Sequence, residues 1–153
     1  MVKVLLTGMS GVGKSTILDY LKLDGHQTID LDYDEWINYD DVMNDYVLDT
    51  KRMITYMEQN NHRNVFLAVT TSNQKEIYSY LDYVIVLTAP VKIMKDRIQT
   101  RDNSFGKSEA EWNKIKSDKE LFEPLIIQSS DFTISTDKAI SEVLSELYHL
   151  IGF

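Results

Sequence analysis

The sequence of 153 residues contains no cysteine. Disulfides and thiolate metal ligands are therefore excluded. That suits a reducing compartment, and a cytoplasmic location is the expectation. No apolar run approaches the roughly 20 residues that a membrane-crossing helix needs, so no membrane partner is expected. The chain runs straight into the apolar segment Val2-Lys3-Val4-Leu5-Leu6-Thr7, and no signal peptide is expected before it. Basic residues number 16 against 24 acidic ones, a net charge of −8. Broad nucleic-acid binding needs clustered cations, so this balance argues against a nucleic-acid partner. The three histidines, His26, His62 and His149, are scattered and lack metal-ligand spacing. No internal repeat or low-complexity linker is present. What remains is a chain sized for one domain with a substantial core.

The clearest positive signal is Gly8-Met9-Ser10-Gly11-Val12-Gly13-Lys14-Ser15. It fits the phosphate-binding pattern G-x-x-x-x-G-K-[ST], and it sits between a predicted strand and the predicted helix that begins near Thr16. Glycines at 8, 11 and 13 leave room for consecutive N–H groups to turn inward as an anion nest. The following helix adds unpaired donors and the positive end of its dipole. In that pattern Lys14 reaches the β- and γ-phosphates, and the Ser15 hydroxyl binds Mg²⁺. Thr16 would add a hydrogen bond to the α-phosphate. Gly8, Gly11, Val12, Gly13, Lys14, Ser15 and Thr16 form the predicted binding set for ATP or GTP.

Gly25 closes the first helix, and Gln27–Leu31 reads as a second strand. Its end carries Asp30 and Asp32, which a strand period of two places on one side. In an open parallel sheet the carboxyl ends of the strands line the ligand crevice. One carboxylate would then hold magnesium and the other accept a proton from a substrate hydroxyl. The competing reading is helix capping by Asp32 or Asp34. Asp34 and Glu35 read as charges in a first helical turn. Acidic residues are dense here, with seven Asp and one Glu between Asp30 and Asp49.

Residues 41–60 read as one helix from the spacing of Val42, Tyr46, Leu48, Met53, Ile54 and Met57. Arg52, inside it, is either a grip for an anionic substrate or a surface charge. Asn64–Val69 and Tyr83–Leu87 are continuously apolar, as strands buried on both faces are. The polar loop Thr70-Thr71-Ser72-Asn73-Gln74 either touches substrate or caps the short helix predicted at Lys75–Leu81. Pro90 suits the first position of a helix reaching Arg101. A further helix starts near Ser108, with Trp112, Ile115, Leu121, Phe122 and Leu125 as its apolar face, and Pro124 should break it. Asp131–Ile134 is a fifth strand, and the turn at 135–138 after it is a place for an adenine ring. An amphipathic helix from Ile140 to Ile151 closes the chain.

Basic residues gather between Lys92 and Lys119. Arg97 and Arg101 share one helix face. The polar stretch after them, Asp102-Asn103-Ser104-Phe105-Gly106-Lys107, has little to bury. It is expected to be a mobile lid at about 102–110 that closes on ATP and excludes water. The competing reading is an exposed helix end whose arginines favour the negative dipole end.

The phosphate loop on the first strand, the Asp30-Leu31-Asp32 run after the second and the late basic flap resemble the P-loop small-molecule kinases, such as shikimate, gluconate and adenylate kinases. The resemblance covers nearly the whole chain. It implies an α/β fold, a single domain over residues 1–153, and a five-stranded parallel sheet in the order 2-3-1-4-5 with helices on both faces. It also implies that Asp30 stands near magnesium, that Asp32 contacts the substrate hydroxyl, and that Arg101 or else Arg97 is the lid arginine. The glycine triplet of shikimate kinase is replaced here by Val69-Thr70-Thr71-Ser72-Asn73, which argues against shikimate as substrate. The longer lid and paired-arginine grip of adenylate kinases have no counterpart. The Ser72-Asn73-Gln74 run, the Leu87–Pro90 turn and the segment from Arg97 to Lys107 look like small bacterial P-loop proteins described as ATPase or kinase-like. The expected function is ATP-dependent, Mg²⁺-assisted phosphoryl transfer to a small hydroxylated metabolite, nucleoside or nucleotide. The alternative is a nucleotide switch or slow ATPase with no small-molecule acceptor.

Overall fold

Five short runs of β-branched and aliphatic residues become strands, each bounded by a turn or an amphipathic helix. They are β1 (Lys3–Thr7), β2 (Gln27–Asp30), β5 (Val65–Ala68), β6 (Tyr83–Thr88) and β7 (Phe132–Ser135). In this computed structural model, which describes residues 1–32 and 35–153, they form a parallel sheet in the order β2-β5-β1-β6-β7. Counted as the five predicted strands, that is the expected 2-3-1-4-5. The expectations for Asp34 lie outside the described residues. Glu35 lies in a turn, not in a first helical turn.

The chain divides into two compact units. The first takes in Met1–Thr7 and Ser15–Val84. There β5 pairs with both β1 and β2, and Ala68 stands opposite both Leu6 and Asp30. That register sets Asp30 level with the last residues of β1. Leu5, Ile29, Val65, Leu67 and Val69 pack with Met53 and Met57 of α2 (Thr50–Gln59) and with Ile77 of a 3₁₀ helix (Gln74–Tyr80). The alternate strand residues Val4, Leu6, Phe66 and Ala68 are equally buried. Since neighbouring strand residues point to opposite faces, both faces of this part of the sheet are covered. Each such aliphatic or aromatic side chain contributes about 1.5–3 kcal/mol by leaving water. Lys3 is buried as well. Its ammonium donates to Asn60 O at 2.8 Å and Arg63 O at 2.6 Å, and burial pulls its pKa below 10.5, against the raising effect of Asp82.

The second unit takes in Gly8–Lys14 and Ile85–Phe153. Here β6 pairs with β7, Thr88 opposite Ser135. The apolar stripes of α3 (Val91–Thr100), α4 (Glu109–Leu121) and α6 (Ile140–Leu150) bury Met94 and Ile98, Trp112 and Ile115, and Val143 and Leu147. The short α5 (Glu123–Gln128) follows α4 with Pro124 in its first turn, so the proline breaks the helix where expected. Its missing N–H is harmless at that position.

Three expectations fail. Residues 41–60 are not one helix. β3 (Ile37–Asp40) and β4 (Asp45–Leu48) pair antiparallel, with Tyr39 opposite Tyr46. Asp40 Oδ1 accepts from the N–H groups of Val42 and Met43, and Asn44 takes φ 51° to close the turn. Helix α2 begins only after Asp49, whose carboxylate caps Arg52 N at 3.1 Å. Asp and Asn satisfy turn and cap donors locally, which favours a hairpin over a continuous helix. The second failure is in α4 and α5: Leu121, Phe122 and Leu125 are 61%, 50% and 55% exposed and form no buried face. Third, Pro90 is the N-cap of α3, one place before its first residue.

Candidate active site

The glycine loop folds as its composition requires. A Cβ on Gly8 would lie 2.4 Å from the Leu87 carbonyl oxygen, and one on Gly11 would lie 2.9 Å from Met94 O. Neither position tolerates a side chain without moving backbone. Val12 is fully buried and anchors the loop. Helix α1 (Lys14–Leu23) starts at the end of the loop, so its first N–H groups and positive dipole end face the loop end of the chain. The Lys14 ammonium donates to the Gly8 carbonyl and so spans the loop from its last residue to its first.

The two arginines do not share a helix face as expected: Arg97 lies in the last turn of α3, whereas Arg101 is its C-cap, with extended backbone (φ −81°, ψ 160°). Arg97 donates through Nη1 to Val12 O (3.2 Å) and Thr136 Oγ1 (2.9 Å), and through Nη2 to Thr136 O (2.7 Å). Thr136, only 4% exposed, donates its hydroxyl to Val12 O at 2.7 Å, and its N–H goes to Thr88 O at 2.8 Å. Arg101 instead donates through Nη2 to Ser10 Oγ (3.1 Å) and Phe105 O (2.7 Å). Its Nε is buried and has no hydrogen-bond partner among the described residues. The segment expected to be a lid carries its own contacts. Lys107 donates to Arg101 O at 2.5 Å, Phe105 N donates to Asn103 Oδ1 at 2.9 Å, and Ser108 caps α4.

In the first unit, Ser15 Oγ donates to Asp30 Oδ2 at 2.5 Å, so the two residues expected to share a metal are in contact. Asp30 Oδ1 accepts from Asp32 N at 3.3 Å, and the Asp32 side chain is exposed. Thr16 is exposed too. The polar loop after β5 is built into the fold. Buried Gln74 donates to Thr7 Oγ1 (3.1 Å) and Tyr78 Oη (2.7 Å) and accepts from Thr71 N (2.9 Å). Asn73 bonds both the N–H and the carbonyl of Leu48. Arg52 lies 4.1 Å from the Trp36 ring centroid and donates to Glu35 O at 2.9 Å, so its guanidinium is packed on the aromatic face. Among the described residues no group of three or more His, Cys, Asp or Glu side chains makes a protein-only metal cage.

Thr136 and Gln74 escape sequence reasoning. Thr136 falls in the 135–138 turn, whose place at a strand's carboxyl end flags it, but nothing local links it to the loop. Gln74 reads only as part of a polar run.

The family model described as the AAA domain matches residues 4–123. No curated protein matches the sequence. Solved structures share the fold. A shikimate kinase from Bacteroides thetaiotaomicron is 18% identical, with a TM-score of 0.71 and 99% of each chain covered. A deoxyadenosine kinase from M. mycoides with bound dATP is 16% identical, with a TM-score of 0.65 over 100% of both chains. A gluconokinase from Sinorhizobium meliloti is 12% identical, with a TM-score of 0.61 over 99% of this chain and 96% of that one. The fold is that of the P-loop small-molecule kinases.

Proposed function

Since the chain belongs to the AAA-domain family, whose model runs from β1 through α4, we propose that it is an ATP-dependent phosphotransferase acting on a small hydroxylated metabolite or nucleoside. One observation carries the reading. Besides Arg97, which is tied down at Val12 O, two cations reach the same glycine loop, Lys14 at Gly8 O and Arg101 at Ser10 Oγ. Nucleotide binding needs only the lysine. A second, arginine charge at the loop is what phosphoryl transfer uses, because negative charge on the transferring group must be neutralised in a loose transition state.

In this reading the loop amides and the start of α1 hold the phosphates, and Lys14 bridges the β and γ positions. Arg101 neutralises the γ-phosphoryl. Its buried Nε, which has no hydrogen-bond partner among the described residues, is a donor with hydrogen-bonding capacity to spare. Asp32 orients the acceptor hydroxyl and takes its proton. The segment from 102 to 110 closes over the reactants and excludes water. Ser15 and Asp30 fit magnesium, since a hydroxyl and a carboxylate oxygen in contact are two hard donors that phosphate oxygens and waters would complete to six. Magnesium bound there would neutralise phosphate charge.

The test is ADP formation measured against a panel of sugars, polyols, hydroxy acids and nucleosides. Turnover should rise sharply with one acceptor class. A low rate, unchanged by every acceptor, would replace the kinase with a slow ATPase or a nucleotide switch.

A further inference from the structure

We infer that Arg97 and Thr136 form a clamp on the carbonyl side of the phosphate loop, which makes Arg97 a positioning residue and leaves Arg101 as the arginine for the phosphoryl group. The inference rests on the reading of the loop as a phosphate site and says how that site is held in shape.

The geometry is closed on itself. Val12 O receives two donors, the Thr136 hydroxyl at 2.7 Å and Arg97 Nη1 at 3.2 Å. A carbonyl oxygen has two lone pairs, so its capacity is filled. The same Arg97 Nη1 donates to Thr136 Oγ1, and Nη2 donates to Thr136 O. Thr136 is fixed in turn by its N–H bond to Thr88 O at the end of β6. A trans peptide is planar, with its C=O and N–H on opposite sides. Holding Val12 O from the Arg97 side therefore turns the Gly13 N–H to the other side. In a glycine loop that amide is one of the phosphate donors. The clamp thus sets the direction of a binding group without touching the ligand.

It also separates two arginines that the sequence leaves equivalent. For Arg97 to swing onto a phosphate, it would have to abandon four hydrogen bonds, one each to Gly11 O and Val12 O and two to Thr136. Arg101 holds two, to Ser10 Oγ and Phe105 O, and both acceptors lie in the loop segments that a ligand would contact.

Thr136→Val keeps the side-chain shape and removes the hydroxyl, while Thr136→Ser keeps the hydroxyl. Each variant is titrated calorimetrically with ATP and with inorganic tripolyphosphate, both in magnesium. Thr136→Val should weaken both ligands by the same factor, roughly 3- to 10-fold for one lost hydrogen bond. Thr136→Ser should restore most of it. Arg97→Met should weaken both more, with KM for ATP rising more than kcat falls. A residue that matters only for folding would lower the binding stoichiometry, not the affinity of the folded fraction. The clamp is refuted if Thr136→Val binds both ligands like the wild type. It is also refuted if ATP is weakened and tripolyphosphate is not, because Thr136 then serves the nucleoside and not the loop. A wild-type chain that binds neither ligand would remove the phosphate-site reading first, and the clamp with it.

Discussion

Replacing Gly8 with alanine tests whether the loop is a fixed cradle. The new Cβ would meet Leu87 O at 2.4 Å and Val12 Cγ2 at 3.0 Å, on a backbone with φ of +148°. Two costs add. That backbone region belongs almost wholly to glycine and costs another residue about 1–3 kcal/mol. The overlap adds about 1–3 kcal/mol, as overpacking does where neighbours cannot yield; the nearest atom is a main-chain oxygen of β6, not a side-chain tip. The middle of the sum is about 4 kcal/mol, which for a domain of this size lowers Tm by about 8–16 °C. Gly25→Ala is the control. Its φ is +92°, yet no atom lies within 4 Å of a Cβ there. Only the backbone term remains, about 1–2 kcal/mol, or a fall of about 2–8 °C. Thermal melts followed by circular dichroism compare the two. If Gly8→Ala melts with Gly25→Ala, the close approach of Gly8 to β6 is not rigid, and the loop is not the preformed cradle argued above.

Other perturbations separate the roles assigned to single residues. Lys14→Met should weaken ATP binding by roughly 10- to 100-fold, the range for a lost hydrogen bond to a charged group; titration calorimetry reads it, and an unchanged affinity removes Lys14 from the site. Arg101→Ala should lower kcat by about 1,000-fold or more if its guanidinium meets the transferring group, with a smaller change in ATP affinity; a kcat near wild type would return the role to Arg97. Asp32→Asn should reduce turnover with an acceptor while ATP binding stays close to wild type, and a wild-type rate would exclude it as the proton acceptor. Lys3 has a sign of its own. Its folded pKa lies below 10.5 because burial penalises the ammonium. The folded state therefore binds this proton more weakly than the unfolded one, and stability rises as pH climbs from the depressed value towards 10.5. Tyr56 acts in the opposite sense above 10.0, since burial raises its pKa. The difference in Tm between wild type and Lys3→Met cancels Tyr56 and should move in favour of the wild type as the pH rises towards 10.5. A flat difference would mean that the ammonium loses nothing on burial.

Much of this molecule is legible in its sequence. The glycine loop is local: eight consecutive residues carry the donors, the cation and the hydroxyl, so no distant contact is needed to recognise them. The five parallel strands are local too, because each must be apolar on both faces to sit inside such a sheet. Ser15 and Asp30 are in contact, since strand order and register deliver the second strand's end to the level of the first. The hairpin over 37–48 is different. Its strands have four residues each, too few for a period of two to stand out, while Val42, Tyr46 and Met53 fall by chance near a helical spacing. Only the folded chain shows Val42 at 94% exposure and Asp49 capping a later helix start. The two arginines mark the same boundary. Four residues apart on what the sequence predicts as one helix, they are interchangeable as a pattern, although Arg101 is in fact the extended C-cap of α3. What tells them apart is Thr136, which is 39 residues from Arg97 in the chain and hydrogen-bonded to it in space, and packing across such a separation is what only tertiary structure decides.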